Sequence, residues 1–146
     1  MKKINLTTSL PAYFWQTSYN GKHHPQAQGV NGLEGGANCQ QFAYEVLRFY
    51  GLNPPNLRSS ELWETPELAT ITDFNALLPL DLLLWNNSTE AYGAHVGVYV
   101  GQGQALHLSK TNQYPKIETL NHLATLPEYQ VWMGAKRVIE GKLQLP

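Results

Sequence analysis

Apolar positions recur with a helical period in one stretch of the chain, directly after Asn38. Asn38 is suited to the N-cap position of a helix, and Gly51 is suited to the position that ends one. The apolar positions between them form a single stripe, as in an amphipathic helix packed on a core: Phe42, Ala43, Val46, Leu47 and Tyr50. The pattern therefore predicts a helix with Cys39 in its first turn.

Two neighbouring stretches alternate apolar and polar residues with period two, which is typical of half-buried strands. They are residues 94–100 and residues 104–109, and Gly101, Gln102 and Gly103 separate them. Glycines at this spacing indicate a turn. We therefore predict a β-hairpin with a three-residue loop, in which Val100 pairs with Gln104.

This register brings two histidines together. It places His107 across from Gly97, on the face of the hairpin that also carries His95. The two histidines are then diagonal neighbours, roughly 7 Å apart at the backbone. Because a one-residue shift would turn one ring to the opposite face, the prediction is a sharp one.

Weaker signals predict the remaining elements. A continuous apolar run at residues 82–85 indicates a buried strand, and alternation indicates a last strand at residues 130–139. Residues 1–37 show little periodicity and are predicted to be an irregular segment that shapes a groove. Short helices are predicted at three further places: residues 59–64 with Ser59 or Ser60 as the cap, residues 65–68 with Pro66 in the first turn, and residues 117–126.

Composition narrows the class of protein. The 146 residues suit one domain, which we predict to consist of the irregular segment and a core at residues 38–140. The chain has 10 basic and 11 acidic side chains, so charge gives no reason to expect nucleic acid or a membrane surface as a partner. One cysteine excludes an internal disulfide framework. Without the apolar run of a signal peptide near residues 4–11, we expect a cytoplasmic protein, or one exported without a classical signal peptide.

The candidate chemistry is thiol nucleophilic catalysis. Free amide N–H groups and the helix dipole at the start of a helix favour a thiolate, so Cys39 is predicted to be an activated nucleophile. His95 would take the thiol proton, and His107 would hold the ring of His95 in the useful tautomer. The helix-end amides would receive the oxyanion of a tetrahedral intermediate.

Two other interpretations of these residues stay open. Either histidine alone is better explained as a hydrogen-bonded polar group in the core. Zinc bound by Cys39, His95 and His107 has acceptable ligand chemistry, but it lacks a closely spaced ligand pair and ranks below catalysis. We therefore predict no metal and no cofactor.

Three segments resemble the NlpC-type bacterial cell-wall cysteine peptidases, a papain-like family. Residues 38–42 (Asn-Cys-Gln-Gln-Phe) resemble the Asp-Cys-Ser-Gly-Phe nucleophile box, and residues 78–83 (Leu-Pro-Leu-Asp-Leu-Leu) resemble the Pro-Gly-Asp-Leu stretch that starts the first core strand. Residues 94–103 resemble the strand and turn Ser-His-Val-Gly-Ile-Tyr-Ile-Gly-Asn-Gly. The resemblance implies an α+β papain-like core, in which a nucleophile helix packs against a small antiparallel β-sheet. It also implies Cys39 as nucleophile, His95 as general base and His107 as its orienting partner.

The chain departs from that family next to the nucleophile. The family's Asp and Ser, which are associated with the free amino end of a peptidoglycan stem peptide, are here Asn38 and Gln40. A neutral amide does not offer an ammonium group the charge pairing of a carboxylate. We still predict substrate contacts from Asn38 and Gln40 because they adjoin Cys39, and from Tyr13 and Trp15 as aromatic groove walls. Leu80 also replaces a family glycine, before Asp81.

These observations together favour a cysteine hydrolase that cleaves an amide bond through an acyl-enzyme thioester. A peptide or peptidoglycan fragment is the expected partner, with an endopeptidase or amidase as the expected activity. One alternative is a deamidase, acyltransferase or thioesterase that acts on a protein or lipid with the same residues. The other alternative is a catalytically silent binding module that keeps the fold.

Overall fold

The computed structural model describes residues 9–139, which form an α+β fold around one antiparallel sheet. The start of the predicted irregular segment (residues 1–8) and the end of the predicted core (residue 140) lie outside this range. The strand order is β1-β6-β2-β3-β4-β5. The strands are β1 (Ala69–Ile71), β2 (Leu82–Asn86), β3 (His95–Gly101), β4 (Gln104–His107), β5 (Lys116–Thr119) and β6 (Val131–Arg137). The helices are α1 (Ala12–Trp15), α2 (Cys39–Phe49), α3 (Ser59–Glu64) and α4 (Leu120–Leu123), with 3-10 turns at Phe74–Ala76 and Pro127–Tyr129.

Helix α2 is the predicted nucleophile helix, and local signals fix both of its ends. The side chain of Asn38 accepts a hydrogen bond from the backbone N–H of Gln41 at 2.8 Å, which caps the first turn. At the other end Gly51 adopts a φ of +90°, and the N–H of Leu52 donates to the carbonyl of Leu47 at 3.0 Å. The predicted helix and its caps are therefore confirmed.

The sheet separates two apolar clusters. Alternate residues of the central strand β2 enter different clusters: Leu82 and Leu84 pack with α2, whereas Leu83 and Trp85 pack on the opposite face. Burial on both faces explains why residues 82–85 form a continuous apolar run rather than an alternating one. In β3, Val96 and Val98 likewise pack towards α2.

The predicted helix at residues 65–68 is wrong, and the one predicted at residues 117–126 is confirmed only in part, for local reasons. Residues 65–68 form a turn in which the hydroxyl of Thr65 accepts from the N–H of Glu67 at 3.3 Å. The first part of predicted helix 117–126 is the edge strand β5, because Ile117 pairs with Leu106 of β4. Only Leu120–Leu123 is helical there.

The helix predicted at residues 59–64 is confirmed, but its cap is wrong. The N-cap residue is Arg58, whose backbone N–H donates to the carboxylate of Glu61 at 2.9 Å. The hydroxyl of Ser59 instead accepts from the N–H of Gly93 at 3.1 Å. Residues 9–37 are mostly irregular, as predicted, and within residues 9–139 no helix is long and apolar enough to cross a membrane.

Candidate active site

The β3–β4 hairpin brings the two predicted histidines together. Val98 pairs with Leu106 and Tyr99 pairs with Ala105, so the register predicted for the body of the hairpin is confirmed. Nε2 of His95 lies 2.8 Å from Nδ1 of His107, and the two ring centroids are 5.0 Å apart. The rings therefore share one face of the sheet and are joined by a hydrogen bond.

The predicted three-residue loop is wrong. Gly101 pairs with Gln104, and the register shifts between Tyr99 and Gly101. Gln102 and Gly103 form a two-residue turn with φ values of +55° and +73°. Positive φ at both turn residues matches the twist of the flanking strands, and a bulge in β3 absorbs the extra residue without changing the face of either histidine.

A carboxylate continues the hydrogen-bond chain beyond His107. Nε2 of His107 lies 2.7 Å from Oε2 of Glu118, which projects from the neighbouring strand β5. Nδ2 of Asn112 donates to the same oxygen at 3.1 Å. The side chain of Glu118 is only 8% exposed, and its other oxygen lies 3.5 Å from His122 and 4.0 Å from Lys116.

Aromatic side chains enclose the two imidazoles. The ring centroid of His95 is 4.7 Å from that of Tyr129 and 5.9 Å from that of Trp85. Gly97 leaves room between them, because a Cβ at this position would lie 3.2 Å from Cβ of His107 and 3.1 Å from the ring of Trp85. These contacts fix the orientation of both rings with few polar neighbours.

Burial makes both imidazoles weak bases. It lowers the pKa of His95 well below its ordinary value, and the neighbouring His107 lowers that pKa further. Burial also lowers the pKa of His107, although the hydrogen bond and charge of Glu118 act in the opposite direction. Burial raises the pKa of Glu118, but hydrogen bonds from His107 and Asn112, together with the electrostatic influence of His107 and Lys116, leave that pKa below its ordinary value. At neutral pH the site therefore holds two neutral imidazoles and one carboxylate.

Cys39 meets the sheet at the start of β3. It is the first residue of α2, it is partly exposed, and the backbone N–H of Val96, the residue after His95, donates towards its sulfur. Within residues 9–139, no hydrogen bond joins the sulfur to either imidazole. The imidazoles lie on the face of the sheet opposite to the main contacts of α2, whereas Cys39 packs against the cluster on the α2 face.

The thiol of Cys39 is not activated at rest. Burial raises its pKa, and the N–H groups of Val96, Gln40 and Cys39, which act in the opposite direction, do not offset this. The expectation that the helix start favours a thiolate is therefore corrected. The resting pair is a neutral thiol and a neutral imidazole.

The polar residues beside Cys39 are engaged in the fold. Asn38 is 8% exposed and its amide oxygen caps α2. Gln40 is 3% exposed, and its amide donates to the carbonyl of Leu57 at 2.7 Å and to the hydroxyl of Tyr44 at 3.2 Å. Contact with substrate stays a prediction for both residues, and the side chain of Gln40 reaches it only by giving up these bonds.

The two predicted groove walls lie on α1. Tyr13 is 57% exposed, and its ring lies 4.8 Å from that of Phe14. Trp15 is partly buried against the core cluster that contains α2. Their role in substrate binding stays a prediction.

Sequence reasoning missed three residues of the site: Glu118, Asn112 and Tyr129. Glu118 falls within the helix predicted at residues 117–126, which gives it no relation to His107. On a strand paired to β4, Glu118 shares a face with Lys116 and lies beside His107. Asn112 and Tyr129 lie in a loop and a 3-10 turn, where periodicity carries no signal.

The same residues give little support to a metal site. Within residues 9–139, no group of three or more His, Cys, Asp or Glu side chains is arranged to hold a metal ion. Nε2 of His95 and Nδ1 of His107 are joined to each other, so zinc bound by both through these atoms with Cys39 would require that bond to break.

Comparison with solved structures identifies the fold. The chain is similar to an NlpC/P60 family protein from Bacillus cereus ATCC 10987 (21% identity over 70% of this chain, TM-score 0.54) and to NlpC2 from Trichomonas vaginalis (17% identity over 80%, TM-score 0.57). It is also similar to the NlpC/p60 domain of the peptidoglycan hydrolase SagA, with 20% identity over 87% of this chain and a TM-score of 0.56. No protein-family model and no curated protein matches the sequence. The papain-like NlpC-type fold implied by the three motifs is confirmed.

The matches differ in how much of the other protein they cover. The chain spans 32% of the Bacillus protein and 43% of the Trichomonas protein, which is less than half of each. It spans 92% of the SagA domain. The shared fold is therefore a part of the two longer proteins and nearly the whole of the SagA domain.

Proposed function

We propose that this chain, which has the NlpC/P60 fold, is a cysteine hydrolase that cleaves an amide bond in a peptidoglycan peptide. Cys39 is the nucleophile, His95 is the general base and His107 orients His95. The observation that carries the proposal is the continuous hydrogen-bond chain from His95 through His107 to Glu118, which begins next to the residue whose N–H contacts the sulfur.

The reaction follows from the neutral resting pair. As the sulfur attacks the carbonyl carbon, its proton passes to Nδ1 of His95, the ring nitrogen that His107 does not occupy. The thiol and Nδ1 come within hydrogen-bond distance when substrate enters, as is common for catalytic contacts that are long in the free enzyme. Backbone N–H groups at the start of α2 receive the oxyanion.

The second half of the reaction reverses the proton transfer. The tetrahedral intermediate expels the amine, which takes the proton from Nδ1 of His95, and a thioester remains on Cys39. His95 then accepts a proton from water, the resulting hydroxide attacks the thioester, and the thiol is restored with release of the acid.

The substrate class is supported by the fold match to a domain of a peptidoglycan hydrolase that this chain spans almost completely. Within that class, Asn38 supplies no negative charge beside the nucleophile. An internal peptide bond or a side-chain amide fits such a site better than a bond next to a free amino end, which calls for charge pairing.

A catalytically silent binding module is the second candidate function. It is favoured by the raised pKa of Cys39, since a thiol that stays protonated is a poor nucleophile unless a base removes its proton. Activity of the thiol therefore decides between the two candidates.

The deciding experiment is digestion of purified muropeptides followed by mass spectrometry. We expect new peptide fragments with the wild-type protein and none with Cys39→Ala or His95→Gln. His24→Gln, which changes a histidine in the loop before α2, is the matched control and should digest like the wild type. Undiminished cleavage by Cys39→Ala would refute the proposal. Absence of both cleavage and a covalent adduct on Cys39 in the wild type would favour the silent module.

A further inference from the structure

We propose that Glu118 is a positioning residue of this site, and that its carboxylate fixes the tautomers of both imidazoles so that Nδ1 of His95 carries the lone pair. The inference rests on the proposed function for its catalytic meaning. Its structural content, the direction of each hydrogen bond, stands independently of any substrate.

The contact between Glu118 and His107 fixes which nitrogen of His107 carries a proton. An ionised carboxylate only accepts hydrogen bonds, so the 2.7 Å contact requires Nε2 of His107 to carry a proton and donate it to Glu118. A neutral imidazole has one donor and one acceptor nitrogen. Nδ1 of His107 is therefore the acceptor.

The hydrogen bond between the two rings then fixes the tautomer of His95. Nδ1 of His107 accepts at 2.8 Å from Nε2 of His95, which must therefore carry the proton. The proton on Nε2 leaves Nδ1 of neutral His95 unprotonated. Nδ1 is then the nitrogen of His95 that can take a proton from Cys39. Glu118 therefore sets the direction of both hydrogen bonds between it and His95.

The surroundings of Glu118 hold it in this role. Asn112 donates to the oxygen that faces His107, so that oxygen has two donors and is fixed in place. Lys116 of the same strand and His122 of α4 face the other oxygen, at 4.0 Å and 3.5 Å. The carboxylate is 8% exposed, so its charge is screened less than that of a surface group.

Replacing Glu118 with glutamine removes the charge of the side chain but keeps its shape. In part of the molecules, this substitution should reverse the direction of the hydrogen bonds that link the side chain at this position, His107 and His95. The amide of a glutamine can turn its NH₂ group towards His107, and Nε2 of His107 would then accept. Nδ1 of His107 would donate to Nε2 of His95, and the proton of His95 would move to Nδ1. A His95 protonated at Nδ1 is unable to accept the thiol proton.

The test compares Glu118→Gln with Glu90→Gln, which removes a carboxylate from an exposed loop and is the charge-matched control. The ¹⁵N chemical shifts of the imidazoles distinguish protonated from unprotonated ring nitrogens. In the wild type we expect His95 and His107 to be protonated at Nε2 only, and in Glu118→Gln we expect signal from Nδ1-protonated rings. Glu90→Gln should match the wild type.

The kinetic arm uses muropeptide digestion by the same proteins. Glu118→Gln should lower kcat severalfold, in proportion to the share of molecules in which Nδ1 of His95 is protonated, with KM little changed because the ground-state contacts to substrate remain. A residue that only held β5 in place would lower stability without changing the tautomers.

The outcomes separate the two proposals. A wild-type His95 protonated at Nδ1, or unchanged tautomers in folded Glu118→Gln, would overturn the role of Glu118 whatever the activity. The expected tautomers in a wild-type protein that digests no muropeptide would support the role of Glu118 and count against the proposed function. The wild-type spectrum alone decides the hydrogen-bond direction if the variant fails to fold.

Discussion

Replacing Gly97 with alanine tests whether the two imidazoles depend on a missing side chain. An added Cβ would lie 3.1 Å and 3.3 Å from two ring atoms of Trp85 and 3.2 Å from Cβ of His107. Unstrained carbon contacts lie at about 3.5–4.0 Å. Gly97→Ala therefore requires each neighbour to move by a few tenths of an ångström.

Neither neighbour is free to move. Trp85 is 2% exposed and His107 is 1% exposed, and both ring nitrogens of His107 are hydrogen-bonded. Overpacking of this kind costs about 1–3 kcal/mol. Replacing glycine in a strand returns roughly 0.5–1 kcal/mol of backbone entropy. The cost of overpacking exceeds the gain in backbone entropy, so we expect the free energy of unfolding to fall by about 1 kcal/mol.

The assay is equilibrium unfolding in urea, together with muropeptide digestion. A loss of this size lowers the melting temperature of a chain of this length by about 3 °C. A shift of His107 by a few tenths of an ångström also misaligns His95, and we expect cleavage to fall by on the order of 10-fold. Gly21→Ala is the matched control, since its Cβ would make only an ordinary contact with Tyr19 at 3.5 Å. Wild-type stability and activity in Gly97→Ala would refute the steric reasoning.

Two further predictions concern stability. Leu80 is 7% exposed and has a φ of +78°. Leu80→Gly should therefore be more stable than Leu80→Ala by about 1 kcal/mol in urea titrations, because only glycine relieves the left-handed strain once the apolar side chain is lost. A more stable alanine variant, which is the usual order, would contradict this prediction. The pKa values of His95 and His107 are both lowered on folding, so the unfolded chain binds more protons and the free energy of unfolding should decrease as the pH falls below about 6.5. Urea unfolding midpoints between pH 5 and pH 8 measure how steeply the free energy of unfolding depends on pH. This dependence should be shallower in a His95→Gln, His107→Gln double variant. A pH dependence equal to that of the wild type would count against the two rings as its source.

The parts of the fold that were predicted correctly depend on signals within a few residues of one another. The cap at Asn38 and the glycine at Gly51 bound α2 by local hydrogen bonds. Alternation in β3 and β4 sets the face of each histidine, and the face survives an error at the turn because a bulge restores the register. The pairing of His95 with His107 could therefore be predicted from the sequence.

The remaining parts depend on pairing between distant residues. β5 is a four-residue edge strand that exists because it pairs with β4, and its sequence contains no clean alternation of apolar residues. Helical spacing of the apolar residues that follow it made a helix the better local interpretation. Glu118 was missed with the strand, and with it the end of the hydrogen-bond chain.

Leu80 is a position at which this chain departs from the pattern of the family that it resembles. Leu80 stands where the resembling family has glycine. In the structure it has the positive φ that favours glycine. Leu80 therefore adopts a backbone conformation that is strained for a leucine. Its side chain is buried in the main core cluster, which offsets the strain by removing apolar surface from water.

The protonation state of Cys39 explains why the direction of the hydrogen-bond chain matters. A helix N-terminus stabilises a negative charge by about 0.3–2 kcal/mol, which corresponds to at most about 1.5 pKa units. Burial of the thiol acts in the opposite direction and outweighs the helix, in agreement with the raised pKa of Cys39. A thiolate then forms only when a base takes the proton during attack. Such a site depends on a lone pair already aimed at the sulfur, and we infer that the carboxylate of Glu118, two hydrogen bonds away, gives the ring of His95 that direction.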